Sequence, residues 1–337
     1  MTTKVKLILM KGISCASKST TVKELKDKYN AVVLSSDTLR EEYGLSNTDN
    51  AVFKIIDDKA LENLSKGISV IIDATNLSMK KHRRYKALAN KTKADLICHY
   101  VITHPEIWEL HAKNRIETKW TNLTMDDMFD IRKKMFQGLS FPMKSEFDEI
   151  YFHIKDISVE DNLINEFKTY YNNNLDLFLN NTKAFLQPLY DNGLLEKVLP
   201  EVYNMYGYDQ QNIHHKLTLE NHTFKVCDSL KNKTEENIWS ALLHDVGKLT
   251  KGIKSIKSTG DYSYIGHAGA SSEMSMCILN RLKFELDFSA KVSTIINKHM
   301  YLPYEGTLKK SKIDIIGEDL YKTLKEFRIA DINAKTE

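Results

Sequence analysis

The sequence predicts an α/β domain, a parallel sheet with helices on both faces, followed by an all-α domain. Two observations carry this expectation. Over residues 1–150, short apolar runs alternate with amphipathic stretches, as buried parallel strands do when crossover helices join them. From about Asp161 onward, apolar residues instead recur with helical periodicity, as in Leu175, Leu177 and Phe178 and later Ile238, Ala241 and Leu242. A chain of 337 residues has room for two separate cores.

Taken in order, residues 5–10 read as the first buried strand and 18–29 as the helix after it. Residues 31–34 form the second strand, 52–66 the next helix, and 69–73 the third strand. A helix over 80–91, a strand over 96–102 and a helix over 105–118 continue the alternation, and 151–154 read as a last strand. The polar Tyr171-Asn172-Asn173-Asn174 is a seam or a helix end. The expected organisation is an α/β domain over 1–155, a connecting helical segment over 156–173, and an all-α domain over 174–337.

Composition excludes several classes. With 42% apolar and 28% charged residues, 13 Gly and 5 Pro, the chain is not low-complexity or disordered. A net charge of +3 demands no polyanionic partner, although it cannot reveal a local basic groove. Cys15, Cys98, Cys227 and Cys277 are scattered, which argues against a cysteine zinc site or a disulfide framework. No apolar run approaches the roughly 18 to 20 residues that span a bilayer. The opening strand is too short for a signal-peptide core. A cytoplasmic protein without a membrane partner is expected.

Two constellations carry chemistry. The first strand runs into Gly12-Ile13-Ser14-Cys15-Ala16-Ser17-Lys18-Ser19-Thr20 and then a helix. This is the strand–loop–helix setting of a phosphate-binding P-loop, in which backbone N–H groups and the helix N-terminus hold phosphates. Lys18 would reach the β- and γ-phosphates and Ser19 would ligate magnesium. Ser17 stands where the pattern has glycine, so a weakened nucleotide grip is expected. A polar turn capped by Ser17 is the plain alternative. The second strand ends in Ser35-Ser36-Asp37-Thr38-Leu39-Arg40 and the third in Asp73-Ala74-Thr75-Asn76-Leu77, with Arg83-Arg84 beyond. In a doubly wound sheet these strand ends face one crevice, which brings Asp37 and Asp73 beside the phosphates.

Over residues 1–150 these motifs resemble polynucleotide 5′-kinases of the phage and bacterial end-healing type. The resemblance implies ATP as donor, Asp37 as general base on a 5′-hydroxyl, and Arg40 on the acceptor phosphate. Asp73, Thr75 and Asn76 would line the same pocket, with Arg83 close by. The family's lid helix carries two arginines on the donor phosphates. Here the matching stretch is Lys113-Asn114-Arg115-Ile116-Glu117, so Lys113 keeps the first cation, Glu117 loses the second, and Arg115 or Lys119 could substitute from another side of the helix.

The second constellation comprises His222, the doublet His244-Asp245 in Leu242-Leu243-His244-Asp245-Val246-Gly247-Lys248, then His267, His299 and Asp331. Phosphoester hydrolysis needs a strong nucleophile at neutral pH and a counter-charge, and a divalent metal supplies both. Mixed imidazole and carboxylate ligands suit magnesium or a divalent transition metal. The arrangement resembles the HD phosphohydrolase superfamily over about residues 174–337. That resemblance implies His222, His244, Asp245 and Asp331 as core ligands, His267 and His299 at positions for a second metal or the substrate phosphate, and Lys248 on phosphate. Gly193-Leu194-Leu195-Glu196, Leu199-Pro200-Glu201, Gln211 and His215 resemble the HD domain of some bacterial tRNA nucleotidyltransferases, which acts on 2′,3′-cyclic and terminal phosphates of RNA. His215 is a substrate contact on this reading, or a helix cap.

The combined expectation is an end-healing enzyme acting on nucleic-acid ends, RNA favoured and tRNA among the candidates. It joins an ATP- and magnesium-dependent 5′-kinase to a metal-dependent 3′-phosphatase or 2′,3′-cyclic phosphodiesterase. Two alternatives stand beside it: a mononucleotide phosphohydrolase joined to a small-molecule kinase, and a P-loop domain that only binds nucleic acid.

Overall fold

The computed structural model describes residues 4–46, 48–119, 122–212, 216–303 and 307–335. Contacts divide the chain into two compact units. The first gathers the described residues of Met1–Thr103, Ile107–Asn122 and Pro142–Lys155; the second gathers those of His104–Glu106, Leu123–Phe141 and Asp156–Glu337.

The first unit is built on β1 (Lys6–Lys11), α1 (Lys18–Tyr29), β2 (Val32–Ser35), α2 (Ser36–Glu42), α3 (Val52–Ser65), β3 (Val70–Asp73), α4 (Met79–Thr92), β4 (Asp95–Thr103) and α5 (Pro105–Thr118). After α6 (Met125–Gln137), it closes with β5 (Glu149–Lys155). The strands pair only in parallel, in the order β2-β3-β1-β4-β5. Leu7, Ile8, Leu9, Val70, Ile71, Ile72, Leu96 and Ile97 are wholly buried. Central parallel strands are covered on both faces, so they read as continuous apolar runs rather than alternating ones.

Register sets up the crevice. Met10 of β1 and Ser35 of β2 both stand opposite Asp73 of β3, so the three strands end level. Gly12 follows at φ +145°, and a Cβ there would lie 2.5 Å from the Val101 carbonyl oxygen; only glycine fits this crossing. The sequence places Asp37 at a strand end, whereas α2 begins at once, and Asp37 sits in its first turn.

The second unit is helical: α7 (Asp161–Asn173), α8 (Leu175–Asn180), α9 (Thr182–Asp191), α10 (Leu194–Val198), α11 (Pro200–Tyr203), α12 (Leu219–Ser229), α13 (Glu235–Leu243), α14 (His267–Arg281), α15 (Leu286–Lys298), α16 (Lys310–Ile316) and α17 (Glu318–Asn333). A 3-10 turn spans Val246–Leu249, and a short hairpin pairs β6 (Ser255–Ile256) with β7 (Tyr262–Ser263). No helix among the described residues is long and apolar enough to cross a membrane.

Two segments differ from the sequence-based division. Residues 156–173 are not a separate connector: Phe167 and Tyr171 of α7 are buried in the helical core. The Tyr171 hydroxyl accepts from Trp239 Nε1 at 3.1 Å and donates to Glu235 at 2.8 Å. Helix α6, which the sequence left unassigned, also belongs to this unit. It opens on a capping box in which Thr124 and Asp127 bond each other's backbone, and it buries Met128, Arg132 and Phe136 along one face.

A buried ion network ties down the unit. Arg281 of α14 donates to both oxygens of Glu201, at 2.6 and 3.1 Å, and to both oxygens of Asp156, at 2.9 Å each. His104 Nε2 lies 3.0 Å from Glu201. Burial alone would raise the Glu201 carboxyl, but His104 and Arg281 outweigh it and hold the group at about 2, against an ordinary 4.5. A depressed carboxyl stabilises the fold above its unfolded value and loses that contribution as pH falls toward the folded one. Glu201→Gln is therefore expected to cost roughly 3–5 kcal/mol in urea unfolding at pH 7. The gap from wild type should close as pH falls from 4.5 toward 2. Equal stability at pH 7 would show that the network is not holding the fold.

Candidate active sites

In the first unit the loop after β1 turns through left-handed backbone at Cys15 (φ 63°) and Ser17 (φ 67°), which ordinary side chains adopt only at a cost. Helix α5 holds it there. Trp108 Nε1 donates to the Ser14 carbonyl at 2.7 Å. His111 Nδ1 lies 3.0 Å from the Cys15 carbonyl and 3.1 Å from Ser17 Oγ. A carbonyl only accepts, so this nitrogen carries the proton. Trp108, His111 and Arg115 recur at helical spacing and share one face.

Lys18 Nζ folds onto its own loop, donating to the Gly12 and Ile13 carbonyls at 3.0 and 2.8 Å. Burial lowers its pKa, and the nearby Asp73 opposes the shift. Asp73 is in turn raised by burial, with Lys18 opposing. Asp37 is exposed and stands between two cations, Arg115 at 3.3 Å and Arg40 at 3.7 Å. Lys18, Asp37, Asp73 and Arg115 thus act on one another across one crevice. Ser19 and Thr20 open α1 and are exposed, and Thr75 accepts the Gly12 N–H at 3.2 Å through its carbonyl.

Other candidates lie elsewhere. Asn76 is wholly buried, and its amide donates to the Met10 carbonyl at 2.8 Å, so it ties β1 to β3 from below the crevice. Arg83 is exposed and contacts the sulfur of Met79 at 2.9 Å. Lys113, Glu117 and Lys119 point to solvent, and Arg115 is the cation of α5 that reaches Asp37. The motif reading missed His111 and also Lys81. Lys81 Nζ lies 3.9 Å from the Phe53 ring centroid, and Arg40 lies 5.7 Å from the same ring. Burial, and then Arg40, lower Lys81 to about 8. Two cations converging on one ring make a setting for an anion.

The second site draws on separate helices. His222 comes from α12, His244 and Asp245 follow α13, His267 opens α14, His299 follows α15, and Asp331 comes from α17. Gly247 explains why the doublet sits where it does. Its N–H donates to Ser271 Oγ at 2.9 Å, and a Cβ would lie 2.5 Å from the His267 carbonyl oxygen. The close approach that brings α14, and with it His267, beside Asp245 requires a glycine.

Three imidazoles are oriented in one way. His244, His267 and His299 each donate Nδ1–H to a carbonyl three residues back, those of Ala241, Tyr264 and Ile296, at 2.7 Å in every case. At His267 and His299, whose rings burial keeps neutral, Nε2 therefore presents a lone pair to the cluster, as metal ligands require, whereas at His244 burial is outweighed by Asp245, which raises the ring above its ordinary value. Asp245 divides its oxygens. Oδ2 lies 3.2 Å from His244 Nε2 and 3.6 Å from His222 Nε2, and Oδ1 lies 3.2 Å from His267 Nε2. Asp331 Oδ1 lies 3.3 Å from His222 Nε2. Two ligand groups result, His222–His244–Asp245 and Asp245–His267–His299, joined through Asp245.

The donor set fits divalent cations. Burial holds His267 at about 4 and His299 at about 3, so both rings are neutral at pH 7. Their Nε2 atoms nevertheless face each other at 3.1 Å, and two lone pairs at that distance repel unless a cation lies beside them. Burial opposes ionisation of Asp245, yet His244 and Lys248 keep its carboxyl well below the usual range. Lys248 Nζ lies 2.7 Å from Asp245 and from Gln210 Oε1. Asp331 is met by Lys335 at 2.9 Å and Arg328 at 3.4 Å. A third acidic group, His104–Asp156–Glu201, is already filled by Arg281. His215 lies outside the described residues.

Residues 7–135 match a family model described as an AAA domain, in agreement with the P-loop geometry. No curated protein matches the chain. Among solved structures, a candidate kinase from Chloroflexus aurantiacus is similar at 16% identity over 45% of this chain and 85% of that one, with a TM-score of 0.37. A structure from the PezAT chromosomal toxin–antitoxin system of Streptococcus pneumoniae is similar at 17% identity over 45% of this chain and 68% of that one, with a TM-score of 0.36.

Proposed function

We propose that this P-loop α/β unit and this helical unit together make a nucleic-acid end-healing enzyme, with RNA ends favoured. The first unit is a 5′-hydroxyl kinase using ATP and magnesium; the second is an HD-type, metal-dependent 3′-phosphatase or 2′,3′-cyclic phosphodiesterase. The observation that carries the hydrolase half is the pair of ligand groups sharing Asp245. The kinase half rests on the crevice that joins Lys18 to Asp37 and Asp73.

In the kinase, Asp37 accepts the proton of the 5′-hydroxyl as its oxygen bonds the γ-phosphorus, the bond to the β-phosphate oxygen breaks, and ADP leaves. Lys18 and Arg115 steady the donor phosphates, Ser19 would hold magnesium, which neutralises charge on them, and Arg40 with Lys81 receives the acceptor phosphate. His111 positions the loop. Losing its bond to the Cys15 carbonyl is expected to weaken ATP binding roughly fivefold in His111→Ala. Calorimetric titration with ATP measures this, and unchanged affinity would mean the loop holds itself.

In the hydrolase, His222, His244, Asp245 and Asp331 would hold one divalent ion and Asp245, His267 and His299 another. The ions would supply an acidified water and neutralise charge on the phosphoryl oxygens. Lys248 lies where it can meet a phosphate oxygen.

A second reading, a mononucleotide phosphohydrolase, is favoured by the size of the cavity beside the cluster, about 530 Å³, which suits one nucleotide. An end-labelled oligoribonucleotide with a 5′-hydroxyl and a 3′-phosphate tests both readings. The end-healing reading expects ATP-dependent gain of the 5′-phosphate and metal-dependent loss of the 3′-phosphate. Hydrolysis of 3′-AMP with an untouched oligonucleotide would favour the second reading; no hydrolysis of either would end both.

A further inference from the structure

One wall of the cavity beside Asp245, His267 and His299 comes from Leu123–Phe141, a segment that β5 separates in sequence from the main run of the helical unit, and it carries Phe136, Gln137 and Leu139. The segment is built in rather than merely adjacent. Three glycines admit α6: a Cβ on Gly252 would lie 2.5 Å from Phe129 Cβ, on Gly266 3.1 Å from the Lys133 carbonyl oxygen, and on Gly269 2.4 Å from the Phe136 carbonyl oxygen. Arg132, buried, donates to the Lys251 carbonyl at 2.9 Å. Beyond α6, Asn297 clasps the chain, donating to the Leu139 carbonyl at 3.1 Å and accepting from the Phe141 N–H at 3.0 Å. Lys298 donates to Ser140 Oγ at 2.8 Å. Asn297 and Lys298 directly precede His299, so the wall is fastened to the turn that presents a ligand candidate.

The cavity is divided in character. Lys248, Lys298 and Lys335 line it together with the carboxylates, whereas Ile265 and Met300 line it with 56% and 50% of their surface exposed. Cations beside a candidate metal cluster suit a phosphate, and exposed apolar side chains suit a flat nucleobase. Its volume of about 530 Å³ suits one nucleotide. Gln137 is exposed on the wall, and its amide makes no hydrogen bond among the described residues.

We propose that the 123–141 segment is the substrate-selecting wall of the hydrolase site. A terminal nucleotide sits with its phosphate toward Asp245, His267 and His299 and its base on Ile265 and Met300, and the Gln137 amide hydrogen-bonds the nucleoside. The proposal rests on the hydrolase reading above. It makes Gln137 a specificity residue for the nucleoside, not for the phosphate.

The test is calorimetric titration of the full chain in manganese buffer with 3′-AMP and, separately, inorganic phosphate. Both are run in an Arg40→Ala background so that the kinase acceptor site stays silent. Gln137→Ala should weaken 3′-AMP binding roughly fivefold and leave phosphate binding unchanged. Unchanged 3′-AMP affinity, an equal loss for both ligands, or no 3′-AMP binding before the Gln137 change would each overturn the proposal. The hydrolase reading fails differently, by 3′-AMP binding with the expected Gln137 dependence yet never being hydrolysed.

Discussion

Asp245→Asn is expected to lower 3′-phosphate hydrolysis by roughly a thousandfold or more and to remove bound divalent metal in the same step. Asp245 alone among the candidate ligands turns one oxygen to each group, with Oδ2 toward His222 and His244 and Oδ1 toward His267. An amide keeps the shape but carries no charge, and its nitrogen donates where a ligand must accept. Both groups should therefore fail together. His267→Ala touches only the second group and should release about half the metal, as one site of the two empties. Elemental analysis after dialysis, read beside hydrolysis of a 3′-phosphorylated oligonucleotide, checks both variants. Retained 5′-phosphorylation by the same samples shows that the chain is folded. If Asp245→Asn keeps its metal and its hydrolysis, the proposed site is wrong.

Lys18→Ala is expected to lower ATP-dependent 5′-phosphorylation by roughly a hundredfold to a thousandfold, leaving 3′-phosphate hydrolysis intact. The ammonium now rests on the Gly12 and Ile13 carbonyls, where burial works against its charge and Asp73 works for it. Donor phosphates would replace those carbonyls with full negative charge, which strengthens the contact as the γ-phosphoryl group leaves. The substitution deletes a cation and a short methylene stem at a partly exposed position, so the fold should survive. Phosphorylation at the wild-type rate would remove the kinase from the proposal and leave the α/β unit as a binding module.

The elements were largely legible. The central strands β1, β3 and β4 announced themselves as apolar runs because each is covered on both faces, and the helices by their spacing. Helix α6 escaped although Thr124 and Asp127 spell a capping box, because its buried face includes an arginine, Arg132, whose partner is the distant Lys251 carbonyl. Residues 156–173 read as a connector because their patterning is local, whereas Phe167 and Tyr171 are buried in a core built from distant residues, with Tyr171 bonded to Trp239.

The sequence by itself determined where the chemistry-bearing residues lie along the chain: the loop from Gly12 to Thr20, the acids Asp37 and Asp73, and the spaced histidines around His244-Asp245. It also determined an α/β half followed by a helical remainder, since apolar periodicity is a property of neighbouring residues. Only the tertiary structure decided that Arg115 rather than Lys113 faces Asp37, that His111 holds the loop, and that Asn76 ties strands together beneath the crevice. It likewise decided that α6 joins the helical unit and that Asp245 serves two ligand groups. These facts depend on which backbones may approach closely, and Gly247, Gly252, Gly266 and Gly269 permit approaches that a Cβ would forbid. A glycine in a sequence declares that freedom, but the partner it admits lies far along the chain.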